Sequence, residues 1–261
     1  MCLILVAYRH HPRYHLIIAA NRDEFFQRPT APAAWWGSRR RVLAGRDLEA
    51  GGTWLGVTRG GRFAALTNYR DPPAHRPEAP SRGALVTGYL EGDQTPATYL
   101  DTLSRQAGAY NGFNLLVADR HALYGYSNRG DAVQQLQPGV HGISNGLLDE
   151  PWAKVTRGRA SLDAAVATGG DPDVDALLAL LADRRPVTDE HLPHTGIGEE
   201  WERLLSSRFI AAPGYGTRCS TVLLWDVEGR VRFVERSFDA LGGVSGTVDS
   251  VFEIDEPEIR V

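Results

Sequence analysis

Lysine is nearly missing: Lys154 is the only one among the 28 basic residues of this 261-residue chain. The other basic side chains are arginines, a bias that a GC-rich coding sequence explains more simply than selection for phosphate binding. Net charge is −4 and the isoelectric point about 6.1, which argues against a surface built for nucleic acid. Cysteine is scarce too, with only Cys2 and Cys219. Two thiols are too few for a secreted disulfide scaffold or a structural zinc site, so a reducing cytosol is the simpler home. No apolar run approaches the roughly 18 residues of a transmembrane helix. The run Leu3 to Ala7 is too short for a signal peptide and follows no basic segment. The eight histidines form no HExxH or CxxCH arrangement. His10, His11 and His15 read as solvated surface residues rather than metal ligands, although haem can use one histidine without a motif. A cytoplasmic protein with no transmembrane segment and no nucleic-acid partner is expected.

What is present suffices for a sizeable core: 43% of residues are hydrophobic and 23% charged. The chain opens into a strand, Cys2 to Tyr8, and after a polar turn a second runs from His15 to Ala20. Both are apolar throughout, as in strands covered on both faces. Residues 28–47 read as an irregular surface segment anchored by Trp35 and Trp36. Strands Thr53 to Thr58 and Arg62 to Thr67 are joined by Arg59-Gly60-Gly61, a strong hairpin signal. Asp71 to Pro80 is a proline-rich loop, and Ser81 caps a helix over Gly83 to Leu90. A second helix covers Pro96 to Gln106. Strands follow at Phe113 to Ala118, Ala122 to Ser127 and Val140 to Ile143, then helices at Trp152 to Ala167 and Asp173 to Ala182. Strands Cys219 to Asp226, Arg230 to Phe238 and Val248 to Ile254 close the chain. Short strand connections with clustered helices predict an α+β fold, an αββα four-layer sandwich of antiparallel sheets in one domain over 1–261.

Cys2 is the first candidate for chemistry. Once Met1 is removed, this residue carries a thiol and an α-amine, whose reference pKa lies near ~8, so one residue supplies nucleophile and base. The alternative is a small apolar residue that merely follows the initiator. The second candidate is Asn21-Arg22-Asp23-Glu24, at the exit of the second strand. In a regular strand Asn21 and Asp23 share one face, Arg22 and Glu24 the other, so only one pair can reach a neighbouring Cys2. A salt-bridge cluster at a strand end is the bland reading. Asn68, Asn145 and Arg218 lie at further strand ends, where amides suit an oxyanion and a guanidinium suits a carboxylate or phosphate. Gly51-Gly52-Thr53-Trp54 lacks the Gly-Lys-Ser/Thr ending of a phosphate loop, so Trp54 reads as core or pocket wall.

Met1-Cys2, Asn21-Arg22-Asp23-Glu24-Phe25, Gly51-Gly52-Thr53-Trp54-Leu55-Gly56 and Leu66-Thr67-Asn68-Tyr69 occur in this order, followed by Tyr110-Asn111-Gly112-Phe113-Asn114-Leu115, Gly142-Ile143-Ser144-Asn145 and Pro213-Gly214-Tyr215-Gly216-Thr217-Arg218. Together they resemble the transport and Golgi organization family, also called the NRDE family. The resemblance implies a relative of the N-terminal-nucleophile (Ntn) hydrolases, whose terminal Cys attacks an amide carbonyl. It implies Cys2 as nucleophile, Asp23 steering the α-amine, Asn68 and Asn145 at the oxyanion, and Arg218 supporting the Cys. Asn21, Arg22, Trp54 and Tyr69 are expected to bind substrate. The acylases separate their early Arg and Asp by two residues, whereas Arg22 and Asp23 are adjacent, so the face rule sets one against the other. An amidohydrolase acting on a linear amide or acyl substrate, needing no cofactor, is one expectation. The other, also implied by the family, is a non-enzymatic carrier of haem, acyl-CoA or lipid using the same cleft.

Overall fold

The computed structural model describes residues 2–37, 41–130, 132–167 and 169–255. Strands β1 (Cys2–Tyr8) and β2 (Tyr14–Phe25) run side by side inside one sheet, and every residue of β1 is buried. Their unbroken hydrophobicity follows from that position, since both faces are covered. The chain then builds a second sheet from β3 (Thr30–Trp36), β4 (Val42–Asp47), β5 (Leu55–Thr58) and β6 (Phe63–Asn68). Helices α1 (Gly83–Glu91) and α2 (Pro96–Ser104) precede its remaining strands, β7 (Phe113–Ala118), β8 (Leu123–Ser127) and β9 (Gln134–Gln135). The chain returns to the first sheet at β10 (Gly139–Ile143) and adds α3 (Ala153–Val166), α4 (Val174–Leu181) and α5 (Glu199–Leu204). It finishes with β11 (Ala211–Ala212), β12 (Tyr215–Asp226), β13 (Arg230–Phe238) and β14 (Val244–Glu253).

The first sheet has the order β10-β1-β2-β12-β13-β14, with β11 on β12, and the second runs β3 to β9 in sequence. Every pairing is antiparallel. Val6, Ile18, Phe63, Trp225 and Phe233 fill the space between the sheets. Leu5 and Ile17 face outward against Leu162 and Leu177 of α3 and α4, while Tyr89 and Leu100 of α1 and α2 cover the other sheet. The result is the expected αββα sandwich. No helix among the described residues is long and apolar enough to cross a membrane.

Three local expectations differ from the structure. Segment 28–47, read as irregular, contains β3 and β4, with residues 38–40 outside the described ones. Pro32 disguises β3, yet the strand tolerates it because it is an edge strand bulged between Ala31 and Ala34. Helix α5 falls between Ala182 and Cys219, a stretch to which the sequence pattern assigns no element. Ser81 does not cap α1: Arg82 occupies that position, without a side-chain capping bond. His11 and His15 are buried, not solvated, with His15 edge-on to Tyr8 and Trp225.

Candidate functional site

Register fixes which side chains meet. Cys2 pairs with Arg22, Arg22 with Cys219, and Cys219 with Ser237, so these four form one row across the sheet. Ile4, Ala20 and Leu223 mark the same face as the one toward the second sheet. Arg22 therefore shares the face of Cys2, and Asp23 points to the helix layer. The guanidinium of Arg22 rests 4.2 Å from the centroid of the Trp54 ring, donates to Thr30 Oγ1 at 2.9 Å and lies 3.5 Å from Asp47. On the opposite face, Thr217 Oγ1 donates to Asp23 Oδ1 at 2.7 Å. Asp23 still reaches Cys2 through its main chain, whose N–H hydrogen-bonds the thiol.

A cleft of about 360 Å³ opens at this end of the sandwich, lined by Cys2, Arg22, Asp23, Trp54, Asn68 and Arg82 among others. Four expected site residues are placed differently. Asn145 is fully buried; its Nδ2 donates to the main-chain O of Asn68 at 2.8 Å, so it holds Asn68 rather than lining the cleft. Its neighbour Ser144 donates to the main-chain O of Cys2 at 2.8 Å, which ties β10 to the start of β1. Arg218 sits at the bulge between Thr217 and Cys219 and borders a separate cavity of about 370 Å³ with Cys219 and Glu235. Its Nη1 donates to the carbonyls of Phe25 and Arg28, each at 2.9 Å, bracing the segment that leaves β2. Asn21 donates to the carbonyls of Leu181 and Arg208 and accepts from Ser220 Oγ at 2.6 Å, an arrangement that joins sheet to helix layer. Tyr69 is half-buried beside Gly112, outside the cleft lining.

Two residues enter that sequence reasoning missed. Arg82, just before α1, is a cleft wall whose Nη1 donates to Gly112 O at 2.8 Å. Its only sequence signal was an arginine beside a helix start. The other is Lys154 on α3, buried and donating to Leu205 O at 3.0 Å. Burial pushes its amine down to about 8, against the opposing pull of Asp23. Its solitude as a lysine was visible, though coding bias explained it adequately.

Burial raises the Cys2 thiol above its ordinary range, while Arg22 and the Asp23 N–H pull it back. Asp23 is likewise raised by burial, with Lys154 and Thr217 opposing. At rest the sulfur thus favours the protonated form, and a nucleophilic attack from it requires a nearby base.

The glycines of the Gly51-Gly52-Thr53-Trp54 turn bring this wall together. A Cβ on Gly52 would meet the backbone C and O of Gly83 at 2.6 and 2.8 Å, so the turn packs directly on the first residue of α1. Gly52→Ala should lower stability by about 2 kcal/mol through this overpacking, measured as a fall in denaturation midpoint. A pH effect arises away from the cleft, on β10, where His141 Nδ1 lies 2.7 Å from Asp149 Oδ2 and Gly142 N donates to Asp149 Oδ1. The Asp149 bond raises His141 above its ordinary 6.5. Protonation is therefore easier in the folded chain than in the unfolded one. This contribution is fully present below about 6.5 and disappears as pH climbs past the folded value. Unfolding midpoints measured between pH 6 and 8 should drop with rising pH, and His141→Gln should flatten that slope.

Residues 1–240 match the family Transport and Golgi organisation 2. A Bos taurus protein named Transport and Golgi organization protein 2 homolog is 42% identical over 257 residues, covering 91% of this chain and 93% of its own. Its Homo sapiens counterpart is 40% identical with the same coverage. Among solved structures, a mutant conjugated bile acid hydrolase from Clostridium perfringens has a TM-score of 0.53 at 9% identity, over 97% of this chain and 92% of that one. At that identity the likeness concerns the fold, which is Ntn-hydrolase-like. By motif order, matched length and identity, the chain belongs to the Transport and Golgi organisation 2 family.

Proposed function

We propose that this protein is an Ntn-type cysteine amidohydrolase acting on a linear amide or other acyl substrate. The observation that carries the reading is Cys2 at the head of β1, opening into a polar cleft between Arg22 and Asn68. With Met1 removed, the free α-amine takes the thiol proton, and the sulfur attacks the carbonyl carbon. The side-chain amide of Asn68 stabilises the resulting oxyanion. Collapse breaks the C–N bond, the leaving amine takes the proton, and water then hydrolyses the thioester. Asp23 positions the α-amine, Asn145 fixes Asn68, and Arg218 braces residues 25–28. The step needs no cofactor, and the free thiols suit a reducing, cytosolic setting.

A second reading is a carrier of haem, acyl-CoA or lipid in the same cleft. Two observations favour it: relatives bear a name that refers to transport, and burial leaves the Cys2 thiol a weaker nucleophile at rest. A screen of amides and thioesters separates the two. The hydrolase shows turnover that vanishes with Cys2→Ala. The carrier shows no turnover, yet gives a Soret shift with haem or saturable acyl-CoA binding that survives the same change.

A further inference from the structure

The cleft beside Cys2 holds three guanidinium groups, and two are already neutralised. Arg28 donates to Asp47 at 2.6 Å and to Glu49 at 2.8 Å, while Arg22 lies against the same Asp47 and stacks on Trp54. Arg82 differs. Among the described residues no carboxylate forms an ion pair with it, and its Nη1 bonds only a neutral carbonyl, that of Gly112. The acids near it are otherwise engaged. Glu24 Oε1 accepts from the Phe25 N–H at 2.8 Å, and the Asp23 carboxyl is turned to Thr217 on the far face. A partly desolvated cation is unfavourable unless an anion reaches it. The charges that favour its ionised form most are those of Cys2 and, after it, Glu24, which places the guanidinium in the field of the nucleophile.

We propose that Arg82 binds an oxyanionic group of the substrate, a carboxylate, sulfonate or phosphate, so that the preferred amides are acidic ones with that group close to the scissile carbon. This rests on the amidohydrolase reading, and it goes further by naming the substrate's charge. Planar bidentate geometry makes a guanidinium well suited to such groups. A residue acting only on the Cys2 thiolate would instead speed every electrophile alike.

Iodoacetate and iodoacetamide distinguish these roles, because they share leaving group and reacting carbon and differ in charge. In each case the sulfur displaces iodide and becomes a thioether. The rate at Cys2 is read by peptide mass spectrometry on the full chain, with glutathione as the reference thiol. The iodoacetate-to-iodoacetamide rate ratio should exceed that of glutathione by on the order of tenfold. Arg82→Gln should return it to the glutathione value, and Arg82→Lys should keep most of it. In the unaltered protein, raising salt should shrink the ratio, which needs no variant to fold. A ratio equal to glutathione's, or one unmoved by Arg82→Gln while both rates slow together, overturns the proposal and leaves Cys2 a competent nucleophile. Failure of both reagents to modify Cys2 removes the reactive-thiol reading itself, and this proposal with it.

Discussion

Replacing Cys2 by alanine should cut amide turnover by about 10⁴-fold or more while moving the melting temperature very little. In the proposed mechanism the sulfur supplies the electron pair for attack, and Cys219, the second thiol, is buried across Arg22 and outside the cleft lining. Ser237, the hydroxyl at the end of the row, borders the separate cavity and cannot stand in for it. The fold, by contrast, uses Cys2 mainly through its backbone. Its carbonyl accepts from Ser144 and its strand pairs with β2 and β10, and alanine retains both. The deleted atom lies at a cleft wall, so little apolar packing is lost. The readouts are kcat/KM and a thermal melt on the same preparation. Retained turnover would remove Cys2 from the chemistry. Lost turnover together with a collapsed melt would leave its role structural.

The second large effect is expected from Glu202, well away from the nucleophile. Glu202 on α5 is buried and forms an ion pair with Arg70, and it accepts from Thr195 N at 2.8 Å and Thr195 Oγ1 at 2.6 Å. Arg70 follows the strand end that presents Asn68, and its N–H donates to Asn145 O at 2.8 Å. Removing one partner of a buried pair leaves the other charge desolvated and uncompensated, which is strongly destabilising. Glu202→Ala should lose about 3 to 5 kcal/mol, a melting temperature drop on the order of 10 °C. Glu202→Gln keeps acceptor capacity for Thr195 and should lose less. The cleft wall that carries Asn68 should loosen as well, so on the proposed mechanism kcat should fall in protein that is still folded below its new midpoint. An unchanged melt would show that this pair does not hold the wall.

The sequence made the central strands legible because burial on both faces leaves an apolar record with no gaps. β1 and β13 begin and end where the pattern places them. The face rule for Asn21 to Glu24 also survived: Asn21 and Asp23 point to the helices, Arg22 and Glu24 to the cleft. What the rule left open, which pair attends the nucleophile, depended on register against β1, and register is set by contacts distant in sequence. Strand-end amides were visible, but their direction was not. Asn68 lines the cleft, whereas Asn145 turns its amide onto the Asn68 carbonyl, and nothing local distinguishes them. Arg218 was misplaced for a related reason. A bulge between Thr217 and Cys219 takes it out of the pairing and sets it beside a neighbouring cavity with Cys219, and bulges leave no dependable periodic trace. The edge strand β3 was hidden by its proline, and Arg82 by a loop whose place is set by the Gly52 and Gly83 contact.

Everything mechanistic requires the amine and the sulfur to belong to one terminal residue. The direct test isolates the protein from its own cells, treats it with a reactive linear thioester, and sequences the first peptide by mass spectrometry. The account predicts a peptide that starts at Cys2 and carries the acyl group, which passes from sulfur to the adjacent α-amine once the protein is digested. A peptide that still begins with Met1 and carries no acyl group would contradict it.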